Sequence, residues 1–293
     1  MKLRIPEYKA KTMMKTAQMI KTASQITGTL CVVVFALAST AVRADMLTST
    51  GANKIESHDI RFGSVDKKGS SLGAWEVNAG SSTTPSPNSF WVYCLDPLNT
   101  SQNPDTFTTT DLANFINGNG YTNVFGGANY QASGVKDFYD DNTTTKLRVL
   151  TDLKNLYEHA YADSLGSKTK SAAFQFAIWE IEGDGNSNAA SKYSSASSTV
   201  SGLDLMTTDG DAAFKTQLDV YLTALNTNNW GTLGVTKYNY TVYSPDAGTP
   251  GGQVVMRATA VGSSVPEPGS LALAGLALFG VVYTRRQSKA KQV

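Results

Sequence analysis

Two short apolar segments with basic flanks lie near the ends of the chain and restrict the folded body to the residues between them. The first segment runs from Leu30 to Ala38, after a Lys-rich start, and ends shortly before Ala44. A basic region, a short apolar region and small residues before a cleavage point are typical of a secretory signal peptide. The apolar run is shorter than the roughly 20 residues that cross a bilayer. We therefore predict a signal peptide at residues 1–44, which signal peptidase cleaves after Ala44.

The second apolar segment, at the C-terminal end, has a different order of features. Two prolines around a glutamate precede it and a basic pair follows it: Pro266, Glu267, Pro268, Arg285 and Arg286. The prolines separate the tail from the folded body, and we predict a short transmembrane helix at residues 269–284. The basic residues keep its end on the cytoplasmic side of a membrane. An ordinary C-terminal membrane anchor would give the same orientation.

This tail, residues 263–293, resembles the PEP-CTERM sorting signal of Gram-negative bacteria. The resemblance implies an exosortase as partner, which recognises the signal during export. It also implies transient anchoring in the inner membrane by the C-terminal helix before processing. The expected final location is the cell surface, the outer envelope or the extracellular matrix.

Between the two signals, residues 45–262 are predicted to form one extracellular domain. From Asp45 to Ser264 the chain has 14 basic and 22 acidic side chains, a net charge of −8, so nucleic acid is excluded as a partner. The chain has two His and two Cys, too few for a His-rich site or a zinc ribbon, and we predict no metal and no cofactor. Removal of the signal peptide leaves Cys94 alone. A lone Cys is buried and inert, paired with another molecule, or chemically used.

Apolar periodicity predicts strands at both ends of this domain and helices between them. Strands are predicted at residues 55–62, 74–77, 88–95, 236–243 and 253–261, and helices at 111–116, 146–162, 170–181 and 211–225. The strand 88–95 and the helix 170–181 are apolar on nearly every side, which indicates that both are buried. This order predicts an α+β fold, a β-sandwich or barrel with an inserted helical subdomain.

The buried strand carries Cys94 and the buried helix carries Gln175, a pair that can react. A buried amide without hydrogen bonds costs about 1–3 kcal/mol. If the Cys94 sulfur attacks the Gln175 side-chain carbonyl, ammonia leaves and an internal thioester replaces both polar groups. Proximity and a polarised carbonyl would have to come from the fold. An amine or hydroxyl on a target surface could then be acylated by Gln175.

The sequence around both residues resembles the two signatures of bacterial thioester domains, which occur in surface adhesins. The matching segments are Tyr93-Cys94-Leu95 and Phe174-Gln175-Phe176-Ala177-Ile178-Trp179. The resemblance implies that Cys94 is the thioester sulfur and Gln175 the acyl donor. The residues that it implies as support for the motif are Tyr93, Leu95, Phe174, Ala177, Ile178 and Trp179. It also implies a β-sandwich or barrel with a helical subdomain between the two residues, which lie 81 positions apart. Gram-positive members often have Thr where this chain has Phe174.

We therefore expect a non-enzymatic, exported surface protein that attaches through a Cys94–Gln175 thioester to a surface nucleophile. The alternative is a non-covalent structural or exopolysaccharide-associated matrix protein in which Cys94 is inert and buried. A secreted hydrolase would need clustered carboxylates. The candidates by residue type, Asp140-Asp141 and the pair Glu180 and Glu182, are better explained as a solvated acidic face.

Overall fold

A computed structural model describes the domain between the two predicted signals. The described residues are 45–62, 65–99, 105–118, 120, 143–183, 193–194, 203–205, 209–230, 236–245 and 252–262. They belong to the unit Ala44–Val293. The predicted signal peptide with Ala44, the sorting tail 263–293 and the pair Asp140-Asp141 lie outside the described residues. Among the helices that are described, none is long and apolar enough to cross a membrane.

Antiparallel strands form the main sheet. They are β1 (Asp45–Phe62), β2 (Val65–Ala79), β3 (Phe90–Cys94), β4 (Asp105–Asp111), β5 (Leu203–Leu205), β6 (Tyr238–Pro245) and β7 (Val255–Ala260). The order across the sheet is β2-β3-β7-β6-β4-β1-β5, and β2 also pairs with β1. Six strands therefore close into a barrel, and β5 extends β1 at one end. Closure pairs both edges of the sheet, which would otherwise expose unpaired backbone groups.

The helices lie in the chain between β4 and β6. They are α1 (Leu112–Asn117), α2 (Thr143–Ser164), α3 (Lys168–Gly183) and α4 (Ala212–Thr227). The Asp211 side chain caps α4 by accepting from the backbone N–H of Ala213 and of Phe214, and Asn228 ends the helix in the left-handed region at φ 49°. The predicted α+β fold, a barrel with an inserted helical subdomain, is confirmed.

Helix α3 is the centre of the core, because every residue from Ser171 to Gly183 is buried. The Ser171 hydroxyl accepts from the backbone N–H of Ala74 in β2 at 2.8 Å and lies 3.0 Å from the Tyr93 hydroxyl of β3. The Tyr93 ring packs against Phe174 with ring centroids 4.7 Å apart. These contacts hold α3 beside β2 and β3, the strands that position the candidate site.

The structure differs from the sequence-based expectations in three respects. Glu180 and Glu182 do not form a solvated acidic face, since both are buried on α3. Strands β4 and β5 were not predicted. Strand β4 is rich in Thr and lacks apolar alternation, and Phe107 is the one buried side chain among those described in it. The hairpin of β1 and β2 is also longer than predicted, since backbone pairing continues through its polar outer part.

Candidate functional site

Cys94 lies at the end of β3, where the backbone of the strand loses one neighbour. The next N–H, of Leu95, donates to the Val254 carbonyl at 2.9 Å on the β7 side. Successive residues of a strand direct their backbone groups to opposite edges, so the Cys94 N–H and C=O face the β2 side. The pairing of β2 with β3 ends there at Trp75↔Val92. The buried backbone of Cys94 therefore needs partners from another element.

Gln175 of α3 provides those partners with its side-chain amide. Its Oε1 accepts from the Cys94 N–H at 2.8 Å, and its Nε2 donates to the Cys94 carbonyl at 2.6 Å. Trp179, one helical turn further on, donates from Nε1 to the same carbonyl at 3.1 Å. Both Cys94 and Gln175 are almost completely buried, 2% and 1% exposed. The amide thus completes the strand pairing and fixes the Gln175 carbonyl group beside Cys94.

The Cys94 sulfur is bonded to the backbone two residues further on. Sγ–H donates to the Asp96 carbonyl at 2.9 Å, and the Asp96 N–H donates to Sγ at 3.2 Å. Burial raises the pKa of the Cys94 thiol well above its ordinary value, and the Asp96 charge raises it further. The thiol is therefore protonated at neutral pH, and any reaction of the sulfur must include removal of this proton.

A cleft of about 550 Å³ reaches Cys94, Gln175 and Trp179. Its other lining residues come from β1, β2, the segment after β3 and the segment before β7: Ser49, Gly51, Asn53, Ile55, Lys67, Ser70, Ser71, Trp75, Pro97, Leu98, Asn99 and Gln253. Half of these residues have hydroxyl or amide side chains. Apart from Cys94, Lys67 is the one ionisable side chain among the described residues that line the cleft. A neutral hydroxyl or amine group could thus approach the buried pair without charge repulsion.

The residues predicted to support the motif occupy two different places. Most of them lie in the core and make no contact with the cleft: Tyr93, Leu95, Phe174, Ala177 and Ile178. Trp179 lies at the site itself, where it bonds the Cys94 carbonyl and lines the cleft. The structure therefore brings Cys94, Gln175 and Trp179 together.

Two residues of the site were missed from the sequence. Trp75 lines the cleft from β2, and its sequence segment gave only a short strand pattern. Asp96 follows the strand predicted at residues 88–95, and its carboxylate holds the turn after β3 by accepting from the N–H of Leu98 at 3.1 Å and of Asn99 at 3.2 Å. A strand followed directly by Asp-Pro is the signal that could have indicated such a turn.

The buried acid Glu182 influences the ionisation of Cys94. Burial raises the pKa of Glu182 well above its ordinary value, and the Asp96 charge raises it further. Glu182 in turn raises the pKa of Cys94. Negative charge is therefore disfavoured at this end of α3, which again favours the neutral thiol.

Comparison with known proteins identifies the C-terminal tail. Residues 264–287 match the family model of the PEP-CTERM protein-sorting motif. This match confirms the resemblance found in residues 263–293. It indicates export, membrane passage with processing by an exosortase, and sorting to the surface of a Gram-negative bacterium. No curated protein sequence matches the chain.

Solved structures similar to this chain include bacterial thioester domains of adhesins. The N-terminal thioester domain of fibronectin-binding protein SfbI from Streptococcus pyogenes is 12% identical, with a TM-score of 0.39, over 76% of this chain and 97% of that one. The N-terminal domain of the Streptococcus pyogenes pilus tip adhesin Cpa is 10% identical, with a TM-score of 0.41, over 76% and 97%. The N-terminal thioester domain of a protein F2 like fibronectin-binding protein from Streptococcus pneumoniae is 11% identical, with a TM-score of 0.38, over 73% and 93%.

Proposed function

We propose that this exported protein is a non-enzymatic attachment protein that binds a target surface covalently through a Cys94–Gln175 thioester. The domain at residues 45–262 would carry the reaction, and the signals at 1–44 and 263–293 would direct export and sorting. The observation that carries the proposal is the Gln175 amide, held by two hydrogen bonds on Cys94 at the buried end of a cleft.

Thioester formation would use the hydrogen bonds already present. The Cys94 sulfur attacks Cδ of Gln175, and negative charge develops on Oε1, which the Cys94 N–H contacts at 2.8 Å. A donor directed at a developing oxyanion stabilises the transition state. The C–N bond then breaks, and the departing nitrogen leaves as ammonia with the thiol proton. The products are one thioester and one ammonia, with no oxidant or cofactor required.

The product would remain satisfied in the buried site. Loss of Nε2 removes one donor from the Cys94 carbonyl, but the Trp179 indole still donates to it at 3.1 Å. The thiol, whose ionisation is disfavoured by burial, no longer exists as an ionisable group. Water gains little access, because Gln175 is 1% exposed. These features support a thioester that persists until a nucleophile enters the cleft.

Attachment would consume the thioester once in each molecule. An amine or hydroxyl of the target attacks Cδ of Gln175, the C–S bond breaks, and the proton of the nucleophile passes to the sulfur. A new amide or ester then links Gln175 to the target, and Cys94 returns to the thiol form that the site favours. Because nothing regenerates the thioester, the protein is a cross-linking reagent without turnover.

A second function is a non-covalent matrix protein that associates with exopolysaccharide. One observation favours it: the Cys94 sulfur already has two backbone hydrogen bonds to Asp96, and burial keeps it protonated. A buried, satisfied thiol is a normal component of a protein core. In this case Gln175 would serve only to pair the end of β3.

Intact mass separates these two functions. We expect the mature protein to lack the mass of one ammonia, and the Cys94→Ala and Gln175→Ala variants to have their full masses. Treatment with methylamine should replace the deficit by one methylamine adduct on Gln175. Asn53→Ala is the matched control, since Asn53 lines the same cleft but directs its amide to the Gly51 carbonyl, and it should leave the deficit unchanged. A full mass with one titratable thiol in the unfolded wild-type protein would refute the covalent function and leave the matrix function.

A further inference from the structure

A buried histidine outside the cleft has one nitrogen fixed by an acid. His58 of β1 is 3% exposed and stacks on Phe214 with ring centroids 3.7 Å apart. Its Nδ1 lies 2.9 Å from Asp209 Oδ2, which also accepts from the Asp59 N–H at 2.9 Å. A carboxylate only accepts hydrogen bonds, so Nδ1 carries the proton in this pair. The other nitrogen, Nε2, is thereby available as an electron-pair donor.

The free side of this histidine faces a second carboxylate. Nε2 lies 3.4 Å from Glu56 Oε2, and both atoms are buried without a hydrogen-bond partner among the described residues. Asp211 is the third member, and one ligand atom from each of Glu56, His58 and Asp211 lies within 4.8 Å of the others. A nitrogen lone pair and a carboxylate repel each other unless a positive charge lies between them. The geometry therefore requires a cation or a proton at this position.

The distances fit a tetrahedral metal ion. Zinc binds His nitrogen and carboxylate oxygen at about 2.0–2.2 Å, so two tetrahedral ligands are about 3.3–3.5 Å apart. The Nε2–Oε2 distance of 3.4 Å lies in this range. A metal-bound histidine normally donates its other N–H to a carboxylate, as His58 does to Asp209.

In Glu56 and in Asp211, one carboxylate oxygen accepts hydrogen bonds and the other is left to bind a metal ion. Glu56 Oε1 accepts from the Thr169 hydroxyl at 2.9 Å, which leaves Oε2 directed at His58. Asp211 Oδ1 accepts from two backbone N–H groups of α4, at 3.0 Å each, which leaves Oδ2 available. The carboxylates of Glu56, Asp209 and Asp211 together outweigh the unfavourable effect of the α4 N-terminus on a cation.

We propose that Glu56, His58 and Asp211 bind one divalent transition-metal ion of the zinc class, with Asp209 orienting His58 and water as the fourth ligand. Imidazole and carboxylate ligands together suit zinc, manganese or iron better than calcium. The ion joins β1 to the start of α4. Its ligand Glu56 is also hydrogen-bonded to Thr169 at the start of α3. Its role is to hold the helical subdomain on the barrel, and it does not depend on the thioester.

The test is zinc titration of the mature protein after removal of metal by a chelator. We expect one zinc per chain by calorimetry, and a Tm about 5 °C or more higher at zinc concentrations well above Kd. Cobalt should give the visible absorption of a tetrahedral site. Glu56→Gln and Asp211→Asn keep the hydrogen bonds to Thr169 and to the α4 N-terminus, yet each should weaken zinc binding at least tenfold.

Two variants serve as matched controls. Glu76 of β2 accepts from the Thr50 hydroxyl at 2.9 Å as Glu56 does from Thr169, so Glu76→Gln should leave zinc affinity unchanged. His159→Gln removes the other histidine and should also have no effect. Circular dichroism confirms that each variant is folded. Absence of one-to-one zinc binding, or equal affinities for Glu56→Gln and Glu76→Gln, overturns the proposal. Nitrogen NMR showing both His58 nitrogens protonated would then assign a proton to the gap.

Discussion

The direction of the Gln175 amide can be tested by a single isosteric change, Gln175→Glu. The thioester is first removed from the comparison by placing this change in a Cys94→Ala background. A carboxylate can still accept from the N–H of residue 94, but it cannot donate to the carbonyl that Nε2 contacts at 2.6 Å. Only the protonated acid restores the donor. The site therefore favours the neutral form of the introduced acid.

The size of the effect follows from the cost of protonation. A Glu with an unfolded pKa of about 4.3 costs about 3.7 kcal/mol to keep protonated at pH 7. This value is the upper limit if the folded pKa reaches 7. For a domain of this size, it corresponds to a decrease in Tm of about 7–15 °C. Because the pKa of the introduced acid in the folded variant is raised, the variant is not destabilised by this effect below about pH 4.3. The loss of stability develops as the pH rises from there toward the folded pKa.

The assay is thermal unfolding of the single and double variants at pH 4 and pH 7. The quantity compared is the difference in Tm between Cys94→Ala and the double variant Cys94→Ala/Gln175→Glu at each pH. The general acid sensitivity of the domain affects both proteins and cancels. Asn239→Asp, the same amide-to-acid change at an exposed position of β6, is the matched control and should change stability by about 0.5 kcal/mol or less. An equal loss at both pH values, or a loss at pH 7 no larger than that of the control, would show that the amide does not donate to residue 94.

Three further predictions concern the same region. In Gln175→Ala, the Cys94 thiol should resist maleimide at pH 7 until urea unfolds the protein. The stability of this variant should fall above about pH 8.5, because the raised pKa keeps the folded thiol protonated while the unfolded thiol ionises. Rapid labelling of the folded variant would contradict this prediction. Glu182→Gln should raise Tm at pH 7 and lose this effect toward pH 4, since the raised folded pKa favours the neutral acid; calorimetry showing a lower Tm at pH 7 would oppose it. Trp179→Phe should lower the free energy of unfolding by about 1–3 kcal/mol more in the thioester form than in the Cys94→Ala background, because only the thioester form has lost the Gln175 donor to the carbonyl of residue 94. Denaturant titrations of a mass-verified thioester and of the Cys94→Ala background measure both losses. Equal losses would count against the assigned role of the indole.

The sequence predicts the elements of the candidate site better than its contacts. Apolar residues on nearly every side indicate that the strand at 88–95 and the helix at 170–181 are buried, and the structure buries most residues of both segments. The docking of the Gln175 amide on the backbone of Cys94 depends on where the β2–β3 pairing ends. That position is set by the register of three strands, which no local pattern records. Trp75 was missed for the same reason, since its role arises only when the cleft forms, whereas the turn held by Asp96 is local and has a sequence signal in Asp96-Pro97.

The cluster of Glu56, His58 and Asp211 shows more clearly what local sequence patterns cannot predict. Glu56 and His58 lie about 150 positions from Asp209 and Asp211, and two histidines in the whole chain gave no reason to expect a metal ligand. The pairing of β1 with β5 and the stacking of Phe214 on His58 are tertiary contacts that bring the groups together. No spacing within either segment predicts this arrangement.

Polar groups buried in apolar elements indicate where local preference has been overridden. Gln175 lies on the most buried helix, and His58 lies among buried residues of β1. Each such group costs stability unless the surrounding structure satisfies it, and departures from local rules are expected at functional sites. Gln175 is satisfied by the backbone of Cys94, whereas His58 has a hydrogen-bond partner on one nitrogen only within the described part of the chain. The first case supports a reaction within the chain, and the second requires a cation or a proton, which is why the two proposals can fail independently.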